Sequence, residues 1–193
     1  MGTGARRATP REEQVIIAID RAIYHVARHW VWVLNLIGLF MVGLPLLAPI
    51  FESSGHHTLA SLIYDPFSLI CHQLPDRSFH IFGYKMAYCE RCFAIYGATL
   101  LLGLIYGASR RSMRPASVLE AAVLCIPMAI DGFTQLFGWR ESTWELRVVT
   151  GSLFALAVAW FVFPRLQNGF GEIQQTVELR FDRLVSEGRA APL

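Results

Sequence analysis

The chain has 193 residues, enough for one ordinary domain. Hydrophobic residues make up 54 % of it and charged residues only 17 %, against roughly 25 % in soluble domains, and the mean hydropathy is +0.40. This composition excludes disorder and argues against a soluble globular protein, and a net charge of +2 is too small for a nucleic-acid binder.

Residues 1–29 precede the first apolar run. Val15, Ile19, Ile23 and Val26 recur there at helical spacing, which predicts an amphipathic helix along the inner membrane surface or docked on the bundle. His25 and His29 in the same segment read as solvated or interfacial. The first span runs from Trp30 to Ile50 without a charge. It starts too late and lacks the small-residue cleavage site of a signal peptide, so it reads as a retained span. Pro45 and Pro49 are expected to kink or end it locally. The second span lies between Arg91 and Arg110. The third runs from about Ala116 to Trp139 and carries Glu120, Pro127 and Asp131. The fourth lies between Arg147 and Arg165. Residues 165–193 form a tail in which Ile173, Val177, Phe181 and Leu184 again recur at helical spacing.

The expected fold is therefore all-α: a polytopic membrane protein with four transmembrane helices across residues 30–164 and a long outer loop at 52–91. Orientation follows from the basic residues. With the N-terminus cytoplasmic, Arg6, Arg7, Arg11, Arg21, Arg28, Arg110, Arg111, Arg114, Arg165, Arg180, Arg183 and Arg189 lie inside. Arg77, Lys85, Arg91, Arg140 and Arg147 lie outside. Both termini are then cytoplasmic and the 52–91 loop is exoplasmic, in a bacterial or archaeal cell membrane.

The loop is too long to be structureless. Leu59, Leu62, Ile63, Tyr64, Phe67, Leu69 and Ile70 form an apolar stretch too short to span, which suggests an interfacial or re-entrant helix leading to Cys71. His56 and His57 ahead of it read as exposed. From Cys71 to Cys92 fall three cysteines and a histidine: Cys71, His72, Cys89 and Cys92. A Cys-x-x-Cys turn lets two thiolates reach one tetrahedral ion, a third cysteine closes the site, and an imidazole supplies the fourth ligand, as at zinc sites. His72 adjoins Cys71, so His80 or a water are other candidates for the fourth position. Three rival readings stay open: a Cys89–Cys92 disulfide, a redox pair, and inert cysteines at a packed helix end. Cys125, in the third span, reads as a small buried apolar residue.

Asp131 and Gln135 share one face near the outer end of the third helix. Ionisable groups inside spans usually face a partner or a cavity. Arg147 at the start of the fourth span is one expected partner. The other reading sets Asp131, Gln135 and Arg147 beside the cysteines as candidate catalytic residues, together with Arg77. Arg77 and Arg91 would lower thiolate pKa values or bind an anionic group such as a phosphate. Tyr96 follows Cys92 by four residues, on the same helix face.

The order of these motifs resembles a family of small predicted membrane proteins, domain of unknown function 2085. Cys71-His72-Gln73, Pro75, Arg77-Ser78-Phe79, Gly83, Cys89, Arg91-Cys92 and Ile95-Tyr96-Gly97 carry the resemblance. Asp131-Gly132, Thr134-Gln135, Ser142-Thr143, Leu146-Arg147 and Thr150-Gly151 extend it, over roughly residues 60 to 160. Phe93-Ala94 departs from the small polar residue and glycine expected there. The resemblance implies a compact helical membrane domain and no established activity.

Three functions compete. The first is a metal centre, zinc or another transition metal, held by Cys71, His72, Cys89 and Cys92, which either pins the loop or activates water against a lipid substrate. The second is a thiol–disulfide oxidoreductase coupled to a quinone through Cys89 and Cys92. Its layout is similar to that of the quinone-coupled disulfide-forming membrane proteins, but the outer loop from Gly138 to Arg147 lacks their second cysteine pair. The third is a non-catalytic subunit of a membrane complex, whose amphipathic ends dock partners or a further copy.

Overall fold

The computed structural model describes residues 9–109 and 113–193. Arg6, Arg7, Arg110 and Arg111, which enter the charge-bias argument, lie outside the described residues. In chain order the elements are α1 (Pro10–Ser53), α2 (His57–Ser68), a 3-10 turn (Pro75–Arg77), β1 (His80–Ile81), β2 (Tyr84–Lys85), α3 (Glu90–Ser109), α4 (Val118–Leu136) and α5 (Trp144–Ser186). α1, α3, α4 and α5 are each long and apolar enough to cross a membrane. α2 is the short helix expected before Cys71.

The hairpin β1–β2 departs from the all-helical expectation. His80 pairs with Lys85 and Ile81 with Tyr84. Phe82 and Gly83 between them both have positive φ, +53° and +83°, the geometry that suits a two-residue hairpin turn. Strands of two residues leave no alternation to read in a sequence.

The described chain divides into two compact units, Met1–Trp30 with Leu166–Leu193, and Val31–Arg165. In the first, Tyr24, Val177 and Phe181 form a small core against Ile17. The Tyr24 hydroxyl donates to Glu178 Oε1 at 2.9 Å, and Arg180 pairs with Asp20 at 2.8 Å. Two residues of the tail stripe, Val177 and Phe181, are thus packed. The stripe expected on α1 is not: Val15, Ile19, Ile23 and Val26 are all exposed, because Tyr24 and Ala27 carry the packed face instead.

In the second unit the prolines do not end their helices. α1 runs through Pro45 and Pro49 to Ser53. Pro49 has no N–H for the carbonyl of Pro45, four residues earlier. The N–H of Ala87, in the segment leading to Cys89, takes that carbonyl at 3.4 Å. α5 repeats the device. Pro164 leaves the carbonyl of Trp160 without a helical donor, and the N–H of Ala116 fills it at 3.3 Å. Two connecting segments are therefore hooked to helices at carbonyls that prolines free, which matters where no water can satisfy them. α4 starts in a capping box: Ser117 Oγ accepts from the Glu120 N–H while Glu120 accepts from the Ser117 N–H. Within the spans, Asn35 of α1 is buried against Gly103 of α3, so close that a Cβ on Gly103 would lie 2.2 Å from Asn35 Oδ1. Small residues permit such approach between membrane helices.

Candidate metal centre

Cys71 stands just past the end of α2, where its N–H still bonds to the carbonyl of buried Phe67 at 3.0 Å. Gln73, with φ +48°, then turns the chain away. Its amide donates to the Tyr64 carbonyl at 2.8 Å, and Lys85 Nζ donates to the Gln73 carbonyl at 2.8 Å. The hairpin brings the chain back through Met86, Ala87 and Tyr88, all buried, to Cys89. The Cys89 carbonyl accepts the first helical bond of α3, from the Phe93 N–H at 2.9 Å, so Cys89 caps the helix and Cys92 lies in its first turn.

This path brings the three thiols together. The Sγ atoms of Cys71, Cys89 and Cys92 all lie within 4.8 Å of one another. Cys71 and Cys89 are buried and Cys92 is partly exposed. Backbone donors point at the sulfurs: the Cys89 N–H donates to Cys71 Sγ at 3.1 Å, and the Cys92 N–H to Cys89 Sγ at 3.5 Å. Hydrogen bonds from the Cys89 thiol and then the Cys92 thiol hold the Cys71 thiol well below its ordinary pKa, while the bond Cys89 makes to Cys71 pushes Cys89 up. All four cysteines, including partly buried Cys125 on α4, are free thiols.

The surroundings are apolar and aromatic. Ala48, Ile63, Phe67, Ala87 and Tyr88 pack with Cys71 and Cys89. Tyr88 stands edge-on to Phe67 and is stacked on Tyr96, each with ring centres 5.0 Å apart. The Tyr88 hydroxyl donates to Met41 Sδ at 3.7 Å.

His72 is not brought to the thiols. It is exposed, and its Nδ1 accepts from the Leu74 N–H at 3.1 Å. His80 is exposed on β1 and is not part of the cluster either.

The polar residues meet the same turn through its two middle residues. Arg91 donates to Asp131 Oδ2 and reaches Gln135 Oε1 at 3.4 Å. Asp131 is 1 % exposed, and its other oxygen accepts from Arg140 Nη2 at 2.7 Å. Asp131 and Gln135 therefore adjoin the cysteine turn, but the partners of Asp131 are Arg91 and Arg140. Arg147, the partner expected from sequence, instead pairs with buried Glu90 at 2.7 Å and donates to the Ser142 carbonyl at 2.5 Å. Glu90 was not singled out by the sequence reading. The signal in the sequence is an acid between two cysteines at a helix start. Arg77, at the end of the 3-10 turn, is half-buried and makes no ion pair among the described residues.

The donor set is chemically apt for a thiophilic ion. Zinc–thiolate bonds of about 2.3 Å put sulfurs about 3.8 Å apart in a tetrahedral site, so small side-chain rotations would close this triad on an ion.

Comparison with known proteins agrees with the membrane architecture. A family model described as a predicted membrane protein, DUF2085, matches residues 71–161, from Cys71 through the polar residues to α5. An uncharacterized protein of Methanocaldococcus jannaschii is 42 % identical over 125 residues, covering 61 % of this chain and 80 % of that protein. An uncharacterized protein of Methanothermobacter thermautotrophicus is 42 % identical over 85 residues, covering 44 % of this chain and 77 % of its own length. No solved structure matches the chain. The chain belongs to the predicted membrane protein family DUF2085.

Proposed function

We propose that this membrane protein carries a transition-metal ion, zinc by its donor set, on Cys71, Cys89 and Cys92. The observation that supports this reading is the meeting of three sulfurs within 4.8 Å, from two chain segments 18 residues apart, with N–H groups aimed at two of them. Three thiols need no such convergence merely to fill space, because free cysteines pack as separate small apolar residues. A bound cation offsets thiolate charge that an aromatic surrounding cannot solvate.

In this reading the metal ties the loop to the start of α3, and two ion pairs tie that start to the neighbouring helices. Arg91 reaches Asp131 of α4 and Glu90 reaches Arg147 of α5. Asp131, Gln135, Arg140 and Arg147 thus orient the thiol turn rather than ligate the ion. The bias of arginines toward the two termini and the connection between the second and third spans supports an orientation with both termini cytoplasmic and the cysteines on the outer face.

The test is metal retention by single-cysteine variants in mild detergent. Cys71→Ser and Cys89→Ser are expected to lose at least ~10-fold in metal affinity, as removal of one thiolate ligand does, while Cys125→Ser retains it. Full retention in Cys71→Ser, or loss in Cys125→Ser, counts against the site.

A further inference from the structure

We infer that the ion's fourth coordination position is not filled by the protein and exchanges with a small neutral donor, water at rest. This rests on the metal reading above. The geometry points to it because the alternative ligands of the neighbourhood are already engaged. Glu90 is held by Arg147 through its Oε2, and both carboxylate oxygens of Asp131 are taken, by Arg91 and Arg140. The Tyr88 hydroxyl donates to Met41 Sδ. The amide of Gln73 is turned to Tyr64. His72 Nδ1 holds the Leu74 N–H, and His80 stands exposed on the hairpin. Among the described residues no fourth Cys, His, Asp or Glu joins the triad. Residues 1–8 and 110–112, outside them, contain none of these four residue types.

Access and charge narrow what can bind. Cys71 and Cys89 are buried to 5 % and 4 % exposure, so the approach is past Cys92, the one partly exposed sulfur. Phe93 and Tyr96, both partly buried, pack against the same cluster as Cys92. A divalent ion with three thiolates carries a net charge of −1, which repels a further anion in an apolar surrounding and favours a neutral nitrogen or oxygen donor. A protein site closed by four protein ligands is structural, whereas one with three keeps a position for substrate or water. The open position is what separates a reactive centre from a clamp here.

Cobalt(II) in place of the native ion makes the position visible. The full chain in detergent, loaded with cobalt, is expected to show thiolate charge-transfer and tetrahedral ligand-field bands, and imidazole is expected to shift the ligand-field bands saturably. The double variant His72→Ala/His80→Ala, altered only at exposed residues, is expected to give the same spectrum and the same imidazole titration. X-ray absorption is expected to report three sulfurs and one light donor. Bands that imidazole leaves unchanged, four sulfurs, or a spectrum lost in the histidine double variant would overturn the inference while leaving a metal site in place. Failure of the wild-type chain to take up cobalt would defeat the metal reading itself.

Discussion

Glu90, the residue after Cys89, forms a buried ion pair with Arg147 at 2.7 Å, and this joins the thiol turn to the start of α5. Glu90 is 7 % exposed and Arg147 is 7 % exposed, so neither charge is solvated without the other. Removing one partner of such a pair costs about 3–5 kcal/mol. Arg147→Leu is therefore expected to lower thermal stability in detergent strongly and to weaken metal retention, because Glu90 must leave its place beside Cys89. Unchanged melting and unchanged metal content would show that the pair does not hold the turn.

Arg91 and Arg140 each hold one carboxylate oxygen of Asp131 but differ in burial, with side-chain exposure of 20 % and 42 %. The pair with the more exposed arginine is worth less, because solvent screens it more. A double-mutant cycle on Asp131→Asn with Arg91→Gln is expected to give a larger coupling than one with Arg140→Gln, read from thermal unfolding. Equal couplings would place the two arginines on a par and remove the special role of Arg91.

Gly151 of α5 packs on the thiol turn. A Cβ there would lie 3.0 Å from the Arg91 carbonyl oxygen and 3.2 Å from Ala94 Cβ, whereas a Cβ on Gly132 of α4 meets nothing within 4 Å. Gly151→Ala is expected to cost about 1–3 kcal/mol by overpacking and to lower metal affinity. Gly132→Ala is expected to be neutral or slightly stabilising through helix propensity. The two variants melting alike would contradict this close approach.

Pro49→Ala restores the N–H that would bond to the Pro45 carbonyl, and Ala87 then loses its acceptor. Hydrogen exchange is expected to rise in the segment just before Cys89 while α1 itself becomes no less protected. Slower exchange around Ala87 would show that the proline does not hold this segment.

Much of this arrangement was legible in the sequence, for stated reasons. The four spans follow from apolar length, and the approach of Cys71 to Cys89 and Cys92 is suggested by a Cys-x-x-Cys turn below a short helix. Two polar residues four apart at one helix end fix a shared face for Asp131 and Gln135, but not that this face meets the cysteine turn. What could not be read was rotation about each helix axis. Arg91 and Arg147 both sit near helix starts, and only the packed helices decide that the first meets Asp131 and the second Glu90. The same holds for α1, where Tyr24 and Ala27 rather than Val15 and Ile19 carry the packed face. His72 lies exposed with its Nδ1 on the Leu74 N–H, an orientation that sequence spacing does not reveal.

The central claim is that three thiols hold one ion, and elemental analysis with thiol counting tests it on one sample. The protein is purified in mild detergent with neither added metal nor chelator, metal is measured per chain, and free thiols are counted after denaturation with chelator. The account predicts about one transition-metal ion per chain and all four cysteines reactive. No metal with two thiols missing would contradict it and assign Cys89 and Cys92 to a disulfide instead.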